Sequence, residues 1–252
     1  MASGQGLEPP LDDTPATRLE ARAASNRLYG RVAAVYSAWV RVGSLGAFPK
    51  LYRTGCQSLA LKRGQVVLDV CCGTGELFPY LYDGVGPEGS IVGCDLSAAM
   101  LRRARRRIHH GGWHNISLFE CDAQEFVPPQ APDAAIFSIC LSAIPWRLNV
   151  FDHVISMLEP GARVVVIDSL SVGGQWWNGL SNAYNRTKGR IIGADPDCGL
   201  RDAIAARLES FQEDQVAGGV YSLLIGRVPV RAGATHITGS KRPGADSAIA
   251  NC

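Results

Sequence analysis

Three aspartates, Asp69, Asp95 and Asp122, each stand at the end of a short apolar run. The first run leads into the turn "CCGTG" (71–75), where two glycines allow the backbone to approach a ligand with no Cβ atom in the way. Asp95 follows about 20 residues later, at the spacing where an acid accepts both hydroxyls of a ribose. Because the carboxyl ends of parallel strands meet at one edge of a sheet, these residues predict one crevice lined by three acids.

The glycine pattern narrows the ligand that this crevice can hold. The dinucleotide pattern G-x-G-x-x-G is absent, because Glu76, Leu77 and Phe78 follow Gly75. Glu76 lies near the start of the next predicted helix, where its charge would repel a pyrophosphate that needs the positive helix end. The sequence therefore favours a ligand with a positively charged centre and no phosphate.

Apolar runs alternate with helical patterns between Gln65 and Leu170. This alternation predicts a parallel sheet with helices on both faces, and right-handed crossovers then give a doubly wound α/β fold of the Rossmann-like kind. The segment "SFQEDQVAGGVYSLLIGRV" predicts a C-terminal antiparallel hairpin across Gly218-Gly219. We therefore expect a mostly parallel sheet of seven strands, with the first five at 65–70, 90–95, 115–122, 133–141 and 162–170.

The chain divides into a core and two flanks. Residues 1–17 are rich in Gly, Pro and Asp and are expected to be flexible, and the tail 231–252 has little apolar content and is expected to be disordered. The domain then spans 18–230 and begins with a helical cap, 18–62, in which apolar residues recur at helical spacing from Arg18 to Val42. The stretch 171–199 is long for a crossover and is interpreted as a lid over a substrate site.

Composition argues against several classes of function. A net charge of +2 over 252 residues gives no strong case for nucleic-acid binding. No apolar run approaches the roughly 20 residues that span a bilayer, and the first residues lack the order of a secretory signal, so a cytoplasmic protein is expected. The eight cysteines include no C-x-x-C and no zinc-site spacing, so no metal site is expected. Cys71 and Cys72 are interpreted as packing residues of the turn.

Five segments resemble the successive motifs of class I S-adenosylmethionine-dependent methyltransferases, in that family's order and at its spacing. They are "VLDVCCGTGE", "VGCDLSAAML", "FECDAQEF", "DAAIFSICLSAIP" and "LEPGARVVVID". The resemblance covers about residues 27 to 228. "LDVCCGTG" followed by "CDLSAAML" is most similar to the branch that methylates demethylmenaquinone and related quinones, and the phosphatidylethanolamine N-methyltransferases share similar features.

The resemblance implies S-adenosylmethionine as the cofactor and S-adenosylhomocysteine as its product. It implies that Asp69, Gly73 and Gly75 hold the methionine part and that Asp95 takes the ribose hydroxyls. The positions that it places around the rest of the cofactor are Leu96, Met100, Asp122 and Ala123 at the adenine, Ser138 and Leu141 at the methionyl portion, Cys71 in the turn, and Tyr36 closing over the site.

Two departures from the family pattern are visible. Many relatives have glycine where this chain has Cys71. The quinone branch tends to have an Arg-Asn pair before the proline of the fourth motif, where this chain reads "LSAIPW". These departures leave the cofactor motifs intact. They weaken the assignment of a quinone as the acceptor.

The acceptor side of the site has fewer signals. Trp176, Trp177, Tyr184 and Asn185 in the lid stretch are candidates for binding the acceptor, and the tryptophans fit lid packing equally well. Asp168, at the end of the fifth strand, is a candidate for orienting the acceptor or acting as a base, and equally a plain strand-end acid. Tyr36 and Asp168 are thus the catalytic candidates.

The reaction expected is direct in-line transfer of a methyl group to a small molecule that is quinone-like, a lipid amine or a natural product. Two alternatives stay open: a protein that binds the cofactor without methyl transfer, and a different reaction on the same cofactor. The arginine-rich run 102–107 is interpreted as the solvated face of a helix, with an acidic-lipid patch as the alternative. A peripheral membrane contact and a homodimer also stay open.

Overall fold

A computed structural model describes residues 14, 17, 23, 47–170, 178–192, 195, 199–216 and 219–230. Seven strands form one sheet in this part of the chain. Their bounds are β1 Val66–Val70, β2 Ser90–Asp95, β3 Ile116–Glu120, β4 Ala134–Ser138, β5 Arg163–Asp168, β6 Glu209–Val216 and β7 Tyr221–Arg227.

The strands lie in the order β3-β2-β1-β4-β5-β7-β6. Strands β1 to β5 pair in parallel, β7 pairs antiparallel with β5, and β6 pairs antiparallel with β7. The mostly parallel, doubly wound sheet with a C-terminal antiparallel hairpin is therefore confirmed. The direction in which successive strands are added reverses between β1 and β4, so a crevice forms outside the carboxyl ends of these two strands.

Six α-helices connect or flank the described strands. Their bounds are α1 Ala47–Ser58, α2 Phe78–Val85, α3 Ala98–Gly111, α4 Arg147–Ser156, α5 Asn178–Ile192 and α6 Leu200–Ala205, and a short 3-10 turn spans Leu141–Ala143. Two apolar clusters lie on opposite sides of the sheet. Leu51, Leu81 and Leu101 bring α1, α2 and α3 into one cluster, and Phe151 and Ile204 bring α4 and α6 into the other.

Local sequence signals account for the ends of α3. Ser97 lies at the N-cap in an extended conformation, and its hydroxyl accepts a hydrogen bond from the N–H of Met100 at 3.5 Å. Gly112 adopts the left-handed region at φ 66° and ends the helix. Because Ser97 directly follows Leu96 and Asp95, this cap also fixes where α3 begins relative to the crevice.

The hairpin inserts β7, and not β6, next to the parallel strands. β7 is buried over Tyr221–Leu224, while β6 carries Glu209, Glu213 and Asp214 and is exposed along much of its length. A charged outer strand discourages pairing with a further strand, so it suits the edge of a sheet. Apolar residues on both faces of β7 suit the interior position between β5 and β6.

Some expectations lie outside the described residues. The helix expected from Arg18 to Val42 is described only at Ala23, and the tail 231–252 is not described. Across the described helices, none combines the length and the hydropathy that a membrane-spanning segment requires.

Candidate functional site

The turn after β1 is held by backbone hydrogen bonds and by two glycines with positive φ. The N–H of Cys72 donates to the carbonyl of Cys94 on β2, and the N–H of Gly75 donates to the carbonyl of Cys72, both at 2.9 Å. Gly75 has a φ of 74°, and a Cβ atom there would overlap the ring of Phe78. Gly73 has a φ of 55°, and no atom would lie closer than 4.0 Å to a Cβ atom built there. The turn therefore presents bare backbone at the carboxyl end of β1.

Cys71 is the departure from the family pattern that the structure explains. Its φ is 55°, in the left-handed region that glycine adopts without strain and other residues rarely adopt. Its side chain is half-buried against the apolar cluster that contains Cys140. A hydrogen bond with Cys140, and then burial, raise the pKa of the Cys71 thiol well above its ordinary value. A thiol held protonated in this way packs the turn and is a poor nucleophile.

Asp95 joins the turn to the start of α3. One carboxylate oxygen accepts a hydrogen bond from the N–H of Gly73 and the other from the N–H of Ser97, each at 2.8 Å. Burial raises the pKa of Asp95, and these two backbone bonds oppose the rise. Each oxygen keeps a second lone pair, so the same carboxylate can still accept two hydroxyls of a ligand.

Asp69 is a buried acid whose carboxylate has no partner among the described residues. Its side chain is 1 % exposed, and neither carboxylate oxygen has a hydrogen-bond partner in the part of the chain that the structure describes. Burial, and then the charge of Asp95, raise the pKa of Asp69 well above its ordinary value. A buried carboxylate without a partner is costly, so this position fits a group that brings a positive charge and hydrogen-bond donors. The ammonium of a methionine moiety is such a group.

The remaining cofactor candidates lie near the same edge of the sheet and differ in how far their side chains are exposed. Asp122 lies just beyond the end of β3, where its carboxylate accepts a hydrogen bond from the N–H of Gln124 at 2.8 Å. The side chain of Leu141 is completely buried in the apolar cluster, so a contact from this residue to a ligand would come from its backbone. The other candidates differ in exposure: Leu96 and Ser138 are half-buried, while Met100 and Ala123 are buried.

Asp168 is buried and fully engaged by its neighbours. Its carboxylate accepts hydrogen bonds from the N–H and the hydroxyl of Ser142, at 2.9 and 2.6 Å, and from the N–H of Ser169 at 2.7 Å. These bonds tie the end of β5 to the 3-10 turn that follows β4. The geometry therefore favours a structural role for Asp168, as the residue that positions this turn beside the crevice.

The lid candidates divide between described and undescribed positions. Tyr36, Trp176 and Trp177 lie outside the described residues. Asn185 on α5 is buried, and its amide donates to the carbonyls of Leu170 at 3.3 Å and Val220 at 3.0 Å. Tyr184, the neighbouring residue, is exposed. Asn185 thus anchors α5 to the segments beside the ends of β5 and β7.

An ion pair between Arg107 and Glu76 corrects two sequence interpretations. Arg107 on α3 pairs with the carboxylate of Glu76, and its Nε donates to the carbonyl of Thr74 at 3.0 Å. Arg107 is therefore not part of the solvated face that was expected for the whole run 102–107. Glu76 is neutralised by this partner, so its charge is a weaker reason against a pyrophosphate than the sequence suggested.

The roles of two residues of the site were not predicted from the sequence. Ser142 and Arg107 hold the turns after β4 and β1, and neither stands in a motif that predicts such a role. The described cysteines are all free thiols. No group of three His, Cys, Asp or Glu side chains suited to a metal ion occurs among the described residues.

Comparison with known proteins identifies the family of the chain. A sequence model of the ubiE/COQ5 methyltransferase family matches residues 18–193. A demethylmenaquinone methyltransferase from Listeria welshimeri is 26 % identical over 64 % of this chain and 69 % of its own length. An O-methyltransferase family protein from Burkholderia thailandensis has the same fold, with a TM-score of 0.59, 21 % identity, and coverage of 86 % of this chain and 62 % of that one.

A further solved structure shares the fold and was determined as a complex. The Haemonchus contortus phosphoethanolamine N-methyltransferase 2, in complex with phosphomonomethylethanolamine and S-adenosylhomocysteine, has a TM-score of 0.58 and 14 % identity, covering 72 % of this chain and 53 % of that one. The family match extends over more than half of the chain and includes the turn after β1, Asp95 and Asp122. The chain belongs to the ubiE/COQ5 methyltransferase family and is an S-adenosylmethionine-dependent methyltransferase.

Proposed function

We propose that this methyltransferase acts on a small-molecule acceptor by direct in-line transfer, with the crevice at the ends of β1, β2 and β3 holding the cofactor. The observation that carries the proposal is the buried carboxylate of Asp69, which lacks a described partner. An ammonium placed there would supply the missing charge and hydrogen bonds. Asp69 then returns to its ionised form and fixes the methionine end of the cofactor.

Asp95 and Asp122 would contact the ribose and the adenine of the cofactor. Asp95 is held in one rotamer by Gly73 and Ser97, so its free lone pairs are already aimed when the ribose hydroxyls arrive. The residues that follow β3, Asp122 and Ala123, would meet the edge of the adenine. The residues at the start of α3, Leu96 and Met100, would pack on its faces.

S-adenosylmethionine, when bound, supplies a methyl group on a sulfonium sulfur. The residues of this chain orient the acceptor and exclude water, which are the main contributions that an in-line transfer requires. Acid–base help is small when the acceptor is a neutral amine or an activated carbon. This agrees with the hydrogen bonds that Asp168 accepts from Ser142 and Ser169, because they engage its carboxylate in holding the fold.

The proposed acceptor class is broader than the names of the relatives suggest. The relative from Listeria welshimeri is named for demethylmenaquinone, an acceptor of the quinone class. The stretch "LSAIPW" lacks the Arg-Asn pair of that branch, so we place quinone-like acceptors, lipid amines and related natural products together. Tyr184 and the tryptophans at 176 and 177 remain the proposed acceptor-binding residues, with Tyr36 as the proposed closing residue. The buried Asn185 instead holds α5 in place.

Calorimetric titration with S-adenosylmethionine and separately with S-adenosylhomocysteine tests the binding step. Transfer of labelled methyl from the cofactor to a panel of reduced quinones, amines and phenols tests the reaction. Binding with turnover on one class supports the proposal. Tight binding of both compounds with no transfer to any class favours a protein that binds the cofactor without methylation. An unmethylated but altered acceptor favours a different reaction on the same cofactor.

A further inference from the structure

Helix α5 presents an exposed apolar stripe. Leu180 is 78 % exposed and Tyr184 is 47 % exposed, one helical turn apart. Ala183 and Thr187 are also exposed, and the hydroxyl of Thr187 donates to the carbonyl of Ala183 at 2.9 Å. Positions 180, 183, 184 and 187 follow the spacing that lines one face of a helix. A stripe of this kind on the surface indicates a contact with something apolar.

The opposite side of α5 is fixed to the sheet. Asn185 is buried, and its amide donates to the carbonyls of Leu170 and Val220. Leu170 follows β5, which runs parallel to β1 by way of β4. The carboxyl ends of β1 and β5 lie at the same edge of the sheet, so α5 sits at the edge where Asp69 and Asp95 form the crevice. The helix therefore lies at the same edge of the sheet as the crevice, with its stripe facing away from the sheet.

The sequence of α5 and of the segments next to it carries charges of one sign. The helix carries Arg186, Lys188 and Arg190 and no acid, and no Asp or Glu occurs between Asp168 and Asp195. A helix with basic residues and an exposed apolar stripe, and without acids, has the composition of helices that lie in the interface of an anionic bilayer. Two copies of this helix meeting face to face would bring like charges together, which disfavours a self-association surface.

We propose that α5 docks on an anionic phospholipid bilayer, with Leu180 and Tyr184 entering the interface and the positive charge of the helix attracted to the headgroups. The proposal rests on the proposed function in one respect, because a bilayer held at this edge of the sheet would bring a lipid-like acceptor to the side of the protein where the crevice opens. Helix α3 differs from α5. Its exposed arginines, Arg102, Arg105 and Arg106, form a basic face with no large exposed apolar side chain among the described residues, so that face can attract anions but cannot insert.

Sedimentation of the full chain with sized vesicles tests the docking, without acceptor or cofactor present. The vesicles contain phosphatidylcholine alone or phosphatidylcholine mixed with phosphatidylglycerol. The chain is expected to bind the anionic vesicles more tightly, with affinity falling as salt is raised. The double variant Leu180→Asn, Tyr184→Asn is expected to lose at least about tenfold in affinity for the anionic vesicles. Arg186→Gln with Lys188→Gln is expected to lose about fivefold per cation on anionic vesicles.

Two matched variants locate the contact. Val127→Asn removes a valine that is 70 % exposed on the loop after β3, and it is expected to bind vesicles like the wild type. The α3 variant Arg102→Gln, Arg105→Gln, Arg106→Gln is expected to lose less than half as much affinity for anionic vesicles as the α5 variants lose. Thermal unfolding and calorimetry with S-adenosylhomocysteine establish that each variant is folded.

Several results would overturn the docking proposal. They are no capture on anionic vesicles, equal capture of the α5 variants and the wild type, and a loss confined to the α3 variant. A fall from dimer to monomer in the α5 variants without vesicle capture would make the stripe a self-association surface. Failure of vesicle binding with cofactor binding intact leaves methyl transfer standing. Failure of methyl transfer with vesicle binding intact leaves the docking standing.

Discussion

Asp69 and Asp168 are both buried aspartates near the carboxyl ends of parallel strands, yet Asp168 accepts three hydrogen bonds and Asp69 accepts none from the described residues. The two carboxylates therefore have opposite effects on the free protein. Asp168 stabilises the fold through Ser142 and Ser169, whereas ionised Asp69 costs stability until a cation compensates it. We therefore expect cofactor affinity and its pH dependence to depend on Asp69 more than on Asp168.

Asp69→Asn is expected to weaken binding of S-adenosylmethionine by about 10- to 100-fold, because a hydrogen bond to a charged group contributes about 1.5–3 kcal/mol. In the wild type, affinity is expected to fall as the pH is lowered through the raised pKa of Asp69, since protonation removes the charge. In the variant this pH dependence should disappear. Calorimetric titration at a series of pH values measures both effects.

The free protein provides the control for this role of Asp69. Because the folded pKa of Asp69 is raised above its unfolded value, the stability that its protonated form contributes is complete below the unfolded pKa and is lost as pH rises through the folded pKa. The free energy of unfolding of the wild type, measured by urea denaturation, should therefore fall relative to that of Asp69→Asn as the pH rises over that range. Parallel curves for the two proteins would show that Asp69 is compensated by a group outside the described residues.

Asp168→Asn is expected to lower the free energy of unfolding by about 2–4 kcal/mol, since the amide offers an N–H₂ group to the donors of Ser142 and Ser169. Ser142→Ala should cost less, about 1–2 kcal/mol, because it removes only the hydroxyl partner. Denaturant unfolding measures the two losses. If Asp168 were instead the base of the reaction, Asp168→Asn would keep its melting temperature and lose turnover.

Much of the fold follows from local sequence patterns. Each parallel strand is a short apolar run between turn signals, and Ser97 stands where an N-cap residue must stand, so strand positions and the start of α3 were predictable. The hairpin was also predictable. Which of its strands lies beside β5 was left open by the turn signal alone, although the apolar residues on both faces of "YSLLI" favour β7 for the interior position.

The site was predictable only as far as residue type and strand-end position decide it. Asp69, Asp95 and Asp168 all follow the pattern of strand-end acids, and only packing reveals which of them is left without a described partner. Arg107 is one of several arginines on the same helix, and the sequence does not show which one reaches Glu76. Such assignments depend on distances between segments far apart in the chain.

Gly75→Ala is expected to destabilise the protein by about 2–4 kcal/mol and to abolish cofactor binding. The substitution combines a left-handed φ of 74° with a clash between the new Cβ atom and the ring of Phe78. Gly161→Ala is the control, because Gly161 has a φ of 83° with nothing within 4 Å of its Cβ position, and it should cost only about 1–2 kcal/mol. Thermal unfolding compares them, and equal losses would mean that Phe78 moves aside.

Arg107→Met is expected to lower the free energy of unfolding by about 1.5–3 kcal/mol, because it leaves the largely buried carboxylate of Glu76 and the carbonyl of Thr74 without this donor. Arg106→Met, at an exposed position on the same helix, should change stability by less than about 0.5 kcal/mol. A double-mutant cycle with Glu76→Gln should show a coupling of about 1–2 kcal/mol between positions 76 and 107. Cofactor affinity should also fall in Arg107→Met, because Thr74 stands between the two glycines of the turn. If the free energy of unfolding and the cofactor affinity change independently across the cycle, the ion pair stabilises the fold without setting the geometry of the turn.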